Sequence, residues 1–463
     1  MKRTLTRRIA GTTFGLALTA AVVGAAVLPW PDITAAGVGN TTEAPHTIVT
    51  PVPGEALLAC DGPILALGRD ASDAQGLMAV TDPAIAALNA RSEAPDTDGR
   101  TTIDGVGEAT TIVQLPDGTD PIAVSGAGSA LLNEPDITGF AASACRAPTP
   151  EAWLVGATVA TGITDIVVVA NPSEVAATVS LEVFGVDGRT RPPGGEFALP
   201  AGAARAIPVA SISGAEQSPV VRVIASGAPV RASLQSSRVM TLDPVGVDVQ
   251  AAAAPATSAV IPRLTITESA AESPDEPTAL RLLSIEGVDA VADVTVVSES
   301  SGGVAFSATL ELAADQPLSV DLADLAAGSY TVRVDAESPI VAAVRNVAGA
   351  DYGWSVAAPE LDETSLVTLP DAPEGQFQVA IANTGDEPVT VVVDRLDRDV
   401  STRTLDIGVG RSASFRAFSE GTYRIDVSDG TVAASASHVV DGAIASFPVQ
   451  PDPAEPEPVT VFH

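Results

Sequence analysis

Short stretches in which apolar and polar residues alternate fill most of the chain, as expected of strands that bury one face. Three segments open with two such stretches joined by a polar turn, at Asp165–Phe184, Leu282–Val297 and Val379–Val393. The same segments close with two further stretches whose turns contain Gly, Pro or Asp, at Val220–Ser233, Tyr330–Ala343 and Tyr423–Ala434. These turn residues predict that each closing pair is a β-hairpin.

Matching positions in the three segments recur about every 90–115 residues, which is the size of one immunoglobulin-like β-sandwich. No amphipathic helical pattern of ordinary length separates the strands, which disfavours a parallel α/β sheet. The sequence therefore predicts an all-β fold with three tandem immunoglobulin-like sandwiches. Their expected limits are 151–262, 263–360 and 361–450.

The segments outside these repeats have weaker patterns. We expect residues 37–150 to form a β-rich N-terminal domain with one short helix over Pro83–Ala90. Residues 267–278 are acidic and are expected to form an exposed loop or linker. The tail, residues 451–463, is acidic and Pro-rich, which favours an extended conformation.

The N-terminus carries the features of an export signal. Four basic residues precede an uncharged stretch of twenty residues, Ile9–Leu28, which as a helix would span about 30 Å, the thickness of a bilayer core. Two interpretations of residues 1–36 remain open: a retained signal-anchor with its N-terminus in the cytoplasm, and a signal peptide cleaved near Thr34–Ala36. The length favours the anchor, which predicts a single-pass protein of the cytoplasmic membrane with most of the chain outside. Cleavage would make it a secreted protein.

The two cysteines fit an oxidising compartment. Cys60 and Cys145 form an even pair, and we expect a disulfide that closes a loop of about 85 residues and staples the N-terminal domain. The alternative is a pair of free, buried thiols. A metal site is less favoured because neither cysteine has a second Cys or a His nearby in sequence.

The net charge of the chain limits which kinds of molecule it can bind. The chain has 58 acidic and 24 basic residues, a net charge of −34, so it would repel nucleic acid rather than bind it. The simplest explanation of this acidity is that it keeps an exported protein soluble. The expected partners are the cytoplasmic membrane, through the N-terminal helix, and an unidentified envelope protein or wall glycan.

Most of the chain after residues 1–36 resembles a known family. The residues that carry the resemblance are Gly139–Cys145, Glu151–Ala157 and the turn Asn171-Pro172. They are similar to an actinobacterial envelope family catalogued as domain of unknown function 5719. The resemblance implies an exported, N-terminally anchored actinobacterial protein, and it implies no catalytic residue because no activity is established for that family.

The sequence offers no catalytic motif. His46, His438 and His463 are far apart, and neither HExxH nor G-x-S-x-G occurs, so we expect no cofactor, no metal and no catalytic residue. Asp96–Gly99 with the later Asp104 resembles a fragment of a calcium loop but lacks the EF-hand spacing, which favours an ordinary acidic turn.

The aromatic residues give the remaining candidates for a binding site. Trp153 and Tyr330 lie in apolar, strand-like contexts and are predicted to be core residues. Tyr352 and Trp354 lie in a turn-like stretch, where we expect them to be exposed and to be the best candidates for ligand contact. The leading hypothesis is a non-enzymatic, membrane-anchored envelope protein with a structural or interaction role. The alternative is a protein that binds cell-wall glycan or assists its processing.

Overall fold

The computed structural model describes residues 46–49, 57–69, 72–73, 75–114, 123–271, 278–398, 402–452 and 459–462. In these residues the fold is all-β, as predicted: strands follow one another, and the only α-helix is α1 (Glu268–Ala271). None of the described helices has the length and apolar character needed to cross a membrane. The predicted anchor within residues 1–36 lies outside the described residues.

The N-terminal region contributes nine strands. They are β1 (His46–Val49), β2 (Leu57–Cys60), β3 (Ile64–Leu67), β4 (Leu77–Thr81), β5 (Ala84–Asn89), β6 (Asp96–Ile103), β7 (Gly107–Gln114), β8 (Val124–Glu134) and β9 (Ile137–Ala144). Strands β5, β8 and β9 form one sheet and β3 pairs with β4. The helix predicted over Pro83–Ala90 is wrong, because that segment is β5 and pairs antiparallel with β8.

The first repeat consists of nine strands. They are β10 (Glu151–Leu154), β11 (Ile163–Ala170), β12 (Ala177–Gly185), β13 (Gly188–Thr190), β14 (Glu196–Leu199), β15 (Ala203–Pro208), β16 (Val220–Ser226), β17 (Arg231–Met240) and β18 (Asp243–Ala251). One sheet has the order β10-β16-β12 with β13 and β14 beside β12, and the other has the order β18-β17-β11-β15. Their inner faces enclose a core that includes Leu154, Val167, Val179, Val223 and Leu234. Strand β6 extends the second sheet by pairing parallel with β15, so the N-terminal region and the first repeat share a sheet.

The second repeat has seven strands in one continuous sheet. They are β19 (Ala256–Ile266), β20 (Ala279–Ser284), β21 (Ala290–Ser298), β22 (Val304–Leu312), β23 (Leu318–Asp321), β24 (Gly328–Ala348) and β25 (Asp351–Val356). Strand β24 links two layers: its first half pairs with β19 and β21, and its second half pairs with β20 and β25. The alternating burial of β21 places Ala292, Val294 and Val296 in the core. The predicted limit at residue 262 falls inside β19.

The third repeat is again built from two sheets. Its strands are β26 (Glu360–Leu361), β27 (Ser365–Thr368), β28 (Gln376–Asn383), β29 (Val389–Arg395), β30 (Arg403–Ile407), β31 (Ser412–Phe418), β32 (Thr422–Ser428), β33 (Val432–Val440) and β34 (Ala443–Pro448). One sheet has the order β26-β33-β28-β31 with β34 beside β33, and the other has the order β27-β32-β29-β30. The last strand, β35 (Val459–Phe462), belongs to a separate unit in which it pairs antiparallel with β1.

The hairpins predicted for the closing pairs are wrong in topology. Strands β16 and β17 lie in different sheets, as do β32 and β33, so each connection is an arch that crosses the core. In the second repeat β24 continues through Pro339 without a turn. The turn residues do reverse or bend the chain, but both faces of the sandwich need strands, so consecutive strands pair with distant ones instead of with each other.

Four of the hairpins in the described residues meet at the centre of the fold. They are β8–β9, β17–β18, β24–β25 and β33–β34. Their second strands pack against one another in a closed series, since β9 contacts β18, β18 contacts β25, β25 contacts β34 and β34 contacts β9. We call these four strands the central ring. It joins the N-terminal region to all three repeats.

Candidate functional site

Tyr352 and Trp354, the aromatic candidates from the sequence, lie in β25 of the central ring. The expectation that they are exposed is wrong: Tyr352 is 5% and Trp354 is 4% exposed. The turn is confined to residues 349–350, and Asp351–Val356 is the returning strand of a hairpin. The ring of Trp354 packs against Gly156 and lies 4.9 Å from the guanidinium carbon of Arg281.

Asp351 connects the four strands of the central ring. It begins β25, and its carboxylate accepts one backbone hydrogen bond from each ring strand. Oδ2 accepts from the N–H groups of Phe140 in β9, at 3.0 Å, and Ile444 in β34, at 2.9 Å. Oδ1 accepts from the N–H groups of Val247 in β18, at 3.1 Å, and Tyr352 itself, at 3.0 Å. Each carboxyl oxygen of Asp351 therefore accepts two backbone N–H groups.

Two glycines make room for this carboxylate. Gly139 has φ +134° and Gly246 has φ +116°, a region of conformational space that strongly favours glycine. A Cβ at Gly139 would lie 2.6 Å from Oδ1 of Asp351, and one at Gly246 would lie 2.7 Å from the same atom. These glycines therefore let the backbones of β9 and β18 approach the acid.

A second chain of polar groups crosses the ring beside Asp351. The hydroxyl of Tyr352 donates to Oγ of Ser236 over 2.6 Å, and Ser236 donates to Oδ1 of Asp165. The other oxygen of Asp165 accepts the N–H of Thr158 at 2.6 Å. The Tyr352 side chain of the second repeat is thus tied to two strands of the first repeat, β17 and β11.

Asp248 and Arg281 link the same two repeats. Asp248 in β18 accepts the N–H of Trp354 at 2.8 Å. Arg281 in β20 donates to the carbonyl oxygens of Val155, at 2.9 Å, and Ala157, at 2.6 Å. Burial lowers the pKa of Arg281 to about 10, so the group is still a cation at neutral pH.

Burial also dominates the electrostatics of the three acids. It raises the pKa of Asp165 and of Asp248 to about 7 and that of Asp351 to about 8, although their hydrogen bonds oppose the shift. Strongly raised carboxyl pKa values occur at catalytic sites and in structural networks alike. Here the three side chains are at most 5% exposed and their oxygens bind neighbouring strands, so the arrangement holds the repeats together.

A disulfide and a buried ion pair attach the N-terminal region. The Sγ atoms of Cys60, at the end of β2, and Cys145, just after β9, are bonded, as expected. Next to them Asp61 forms an ion pair of 2.6 Å with Arg231 of β17 and accepts the hydroxyl of Ser143 at 2.7 Å. The Asp61–Arg231 ion pair attaches the disulfide-bonded N-terminal region to the first repeat.

The described residues contain no group of three or more His, Cys, Asp or Glu side chains that could hold a metal ion. Asp96–Gly99, the possible calcium-loop fragment, begins strand β6 and is not a loop. His438 is buried between the rings of Phe140 and Phe377, with Nδ1 2.7 Å from the carbonyl oxygen of Gln376. The side chains of His46 and His463 are outside the described part of the chain.

Other sequence predictions had mixed outcomes. Trp153 and Tyr330 are buried core residues, 1% and 6% exposed, which confirms their assignment. No sequence pattern pointed to Asp165, Asp248 or the role of Asp351. A usable signal of the ring strands was present: Ala-Pro follows the strand in three of the four cases, at 147–148, 254–255 and 358–359.

Comparisons with known proteins place the chain in a family without giving it an activity. The model of a family described as "Family of unknown function (DUF5719)" matches residues 101–417, which confirms the resemblance seen in the sequence. No curated protein matches. A solved structure titled "Crystal structure of tetra-tandem repeat in extending region of large adhesion protein" aligns with 85% of this chain and 98% of its own, at 14% identity. Its TM-score of 0.12 is too low to support a shared fold.

Proposed function

We propose that this chain, which belongs to the family of unknown function DUF5719, is an exported, non-enzymatic protein of the cell envelope with a structural or interaction role. The observation that carries the proposal is the use of Asp351. Asp351 is a buried acid of raised pKa, a type of group that enzymes employ. Here both of its oxygens accept hydrogen bonds from the backbones of the four ring strands. We include in the proposal that the three repeats are immunoglobulin-like domains that present their edges and loops to partners.

Two features support export. The uncharged stretch Ile9–Leu28 behind a basic N-terminus is typical of a signal-anchor, and the Cys60–Cys145 disulfide suits an oxidising space. In this proposal the chain stays in the cytoplasmic membrane through residues 1–36, with the repeats outside. The actinobacterial origin belongs to the same proposal.

The alternative role in wall-glycan binding or processing placed its site either within residues 37–150 or at Tyr352 and Trp354. Both aromatic residues are buried in the central ring, which removes them as exposed platforms. We therefore favour a scaffold that contacts other proteins of the envelope.

Fractionation of cells that express the full chain tests the location. We expect the full chain in the membrane fraction, with Cys60 and Cys145 resistant to alkylation after denaturation until a reductant is added. A control chain without residues 1–36 should remain in the cytoplasm, with both thiols alkylated after denaturation without a reductant. A full chain found in the cytoplasm with free thiols would contradict the proposal, and N-terminal sequencing would separate the anchor from a cleaved signal.

Incubation of the purified chain with isolated cell wall tests the non-enzymatic part. We expect no release of soluble sugar or peptide. Release that is lost in Asp165→Asn or Asp248→Asn, while the variant keeps the native circular dichroism spectrum, would show that the buried acids are catalytic.

A further inference from the structure

The third repeat has a cleft on its open side that contains arginines and aromatic rings. It lies where β30, the outer strand of one sheet, meets β31, the outer strand of the other. Val393 lies at its buried base. Six further side chains line it: Arg395, Arg403, Phe415, Arg416, Phe418 and Tyr423.

The region around the cleft is far less acidic than the chain as a whole. Residues 394–426 contain six arginines and six acidic residues, whereas the whole chain has a net charge of −34. The ionisable side chains that line the cleft are arginines and a tyrosine. An anionic group would therefore find local attraction here on a surface that repels it elsewhere.

The arginines of the cleft fall into two classes. Arg395 is held by Asp397 through two contacts of 2.8 Å and lies 5.7 Å from the ring of Phe418 and 5.6 Å from that of Tyr423. Arg403 and Arg416 are exposed and have no carboxylate partner within the part of the chain that the structure describes. Arg395 therefore shapes the cleft, whereas the other two guanidinium groups are available for a ligand.

The aromatic rings give the cleft an apolar side. The guanidinium carbon of Arg403 lies 5.8 Å from the ring of Phe415, a cation–π distance that restricts where the charge can point. Phe418 at the end of β31 is 50% exposed, which is unusual for a phenylalanine. A ligand with alternating acidic and apolar groups would satisfy both sides of the cleft.

We propose that this cleft binds an extended acidic peptide segment of a partner protein. In the described residues β30 pairs only with β29 and β31 only with β28, so each presents an outer row of backbone N–H and C=O groups. The N–H of Phe418, at the end of β31, is an exception because it donates to the hydroxyl of Tyr423. An extended peptide can add to such an edge as a further strand, with alternate side chains directed into the cleft. An anionic glycan could meet the arginines but could not continue the strand pairing. The inference rests on the proposed interaction role and names its partner class.

Fluorescence anisotropy with the full chain and a labelled peptide of sequence EVEVEVE tests the cleft. We expect binding that weakens as salt is added, because exposed charges are screened. The double variant Arg403→Ala/Arg416→Ala should weaken it by about tenfold or more, the value of one or two charge-assisted contacts. The matched control is Arg205→Ala in the first repeat, whose guanidinium carbon lies 4.3 Å from the ring of Phe197 but outside the cleft. This control should bind like the unchanged chain.

Three results would overturn the proposal. The first is no binding of EVEVEVE at millimolar concentration, and the second is equal binding of the uncharged peptide QVQVQVQ. The third is equal binding of an oligogalacturonate with the same dependence on Arg403 and Arg416, which would mean that the cleft recognises charge alone. Because the double variant changes only exposed side chains, an unchanged melting temperature separates lost binding from lost folding. The location and thiol state of the chain are measured independently, so failure here leaves the test of export intact.

Discussion

Replacing Gly246 with alanine would test whether Asp351 holds the central ring together. At φ +116° any side chain strains the backbone by roughly 1–3 kcal/mol. The new Cβ would also lie 2.5 Å from Cδ1 of Tyr352, 2.7 Å from Oδ1 of Asp351 and 2.9 Å from the backbone nitrogen of Tyr352, so the start of β25 has to move away from β18. Oδ1 then loses its two hydrogen bonds, from Val247 and Tyr352, each worth about 1.5 kcal/mol. The expected loss in the free energy of unfolding is about 5 kcal/mol.

Gly188→Ala is the matched control. Gly188 has φ +86°, but a Cβ there has no atom within 4 Å. This variant should therefore lower the free energy of unfolding through backbone strain alone, by about 2 kcal/mol. The difference of about 3 kcal/mol corresponds to a factor of about 100 in a local opening equilibrium.

Amide hydrogen exchange is the appropriate assay because it reports local opening residue by residue. The amides of Val247 and Tyr352, which lose their acceptor, should exchange about 100-fold faster in Gly246→Ala than in Gly188→Ala. Equal protection of these amides in both variants would show that Asp351 does not couple the ring strands, and the role assigned to it would be refuted.

Three further changes test other parts of the network. Replacing Cys60 and Cys145 with serine should lower the free energy of unfolding by about 4 kcal/mol, the entropy of a closed loop of 85 residues; denaturant midpoints that match those of the oxidised chain would contradict this. The pKa of Asp248 is about 7 in the folded chain against 3.8 ordinarily, so its contribution to stability is complete below about pH 4 and is lost as the pH rises through 7. Asp248→Asn should therefore flatten the fall in melting temperature between pH 4 and 7, and parallel curves would refute the assignment. Tyr352→Phe removes the donor to Ser236 and should cost about 1 kcal/mol in calorimetry, whereas no change would mean that this hydrogen bond contributes nothing.

The sequence reveals local features well because they depend on nearby residues. Alternation of apolar and polar residues over 290–298 predicts the strand β21. The apolar neighbours of Trp153 in sequence predict that it is a core residue, which it is. Ala84–Asn89 was harder, since a run of small apolar residues fits a helix or a buried strand equally well. Pairing with β8 decided between them.

The candidate site, in contrast, depends on contacts between residues that are distant in sequence. Tyr352 and Trp354 follow a Gly-Ala turn and have polar and glycine neighbours, so the sequence favours exposure. They are buried because three other hairpins, distant in sequence, pack their second strands against β25. The same packing turns Asp351 from an ordinary turn residue into the acceptor of four backbone hydrogen bonds.

By itself, therefore, the sequence determined the all-β class and the pairing of Cys60 with Cys145, and it predicted three repeats and an export signal as expectations. Only the tertiary structure decided which strands pair, that arches replace the predicted hairpins, and that the central ring exists. The physical reason is that strand alternation and turn chemistry act over a few residues. Pairing and the burial of a carboxylate depend instead on which distant backbones approach it, and that is set by packing across the whole fold.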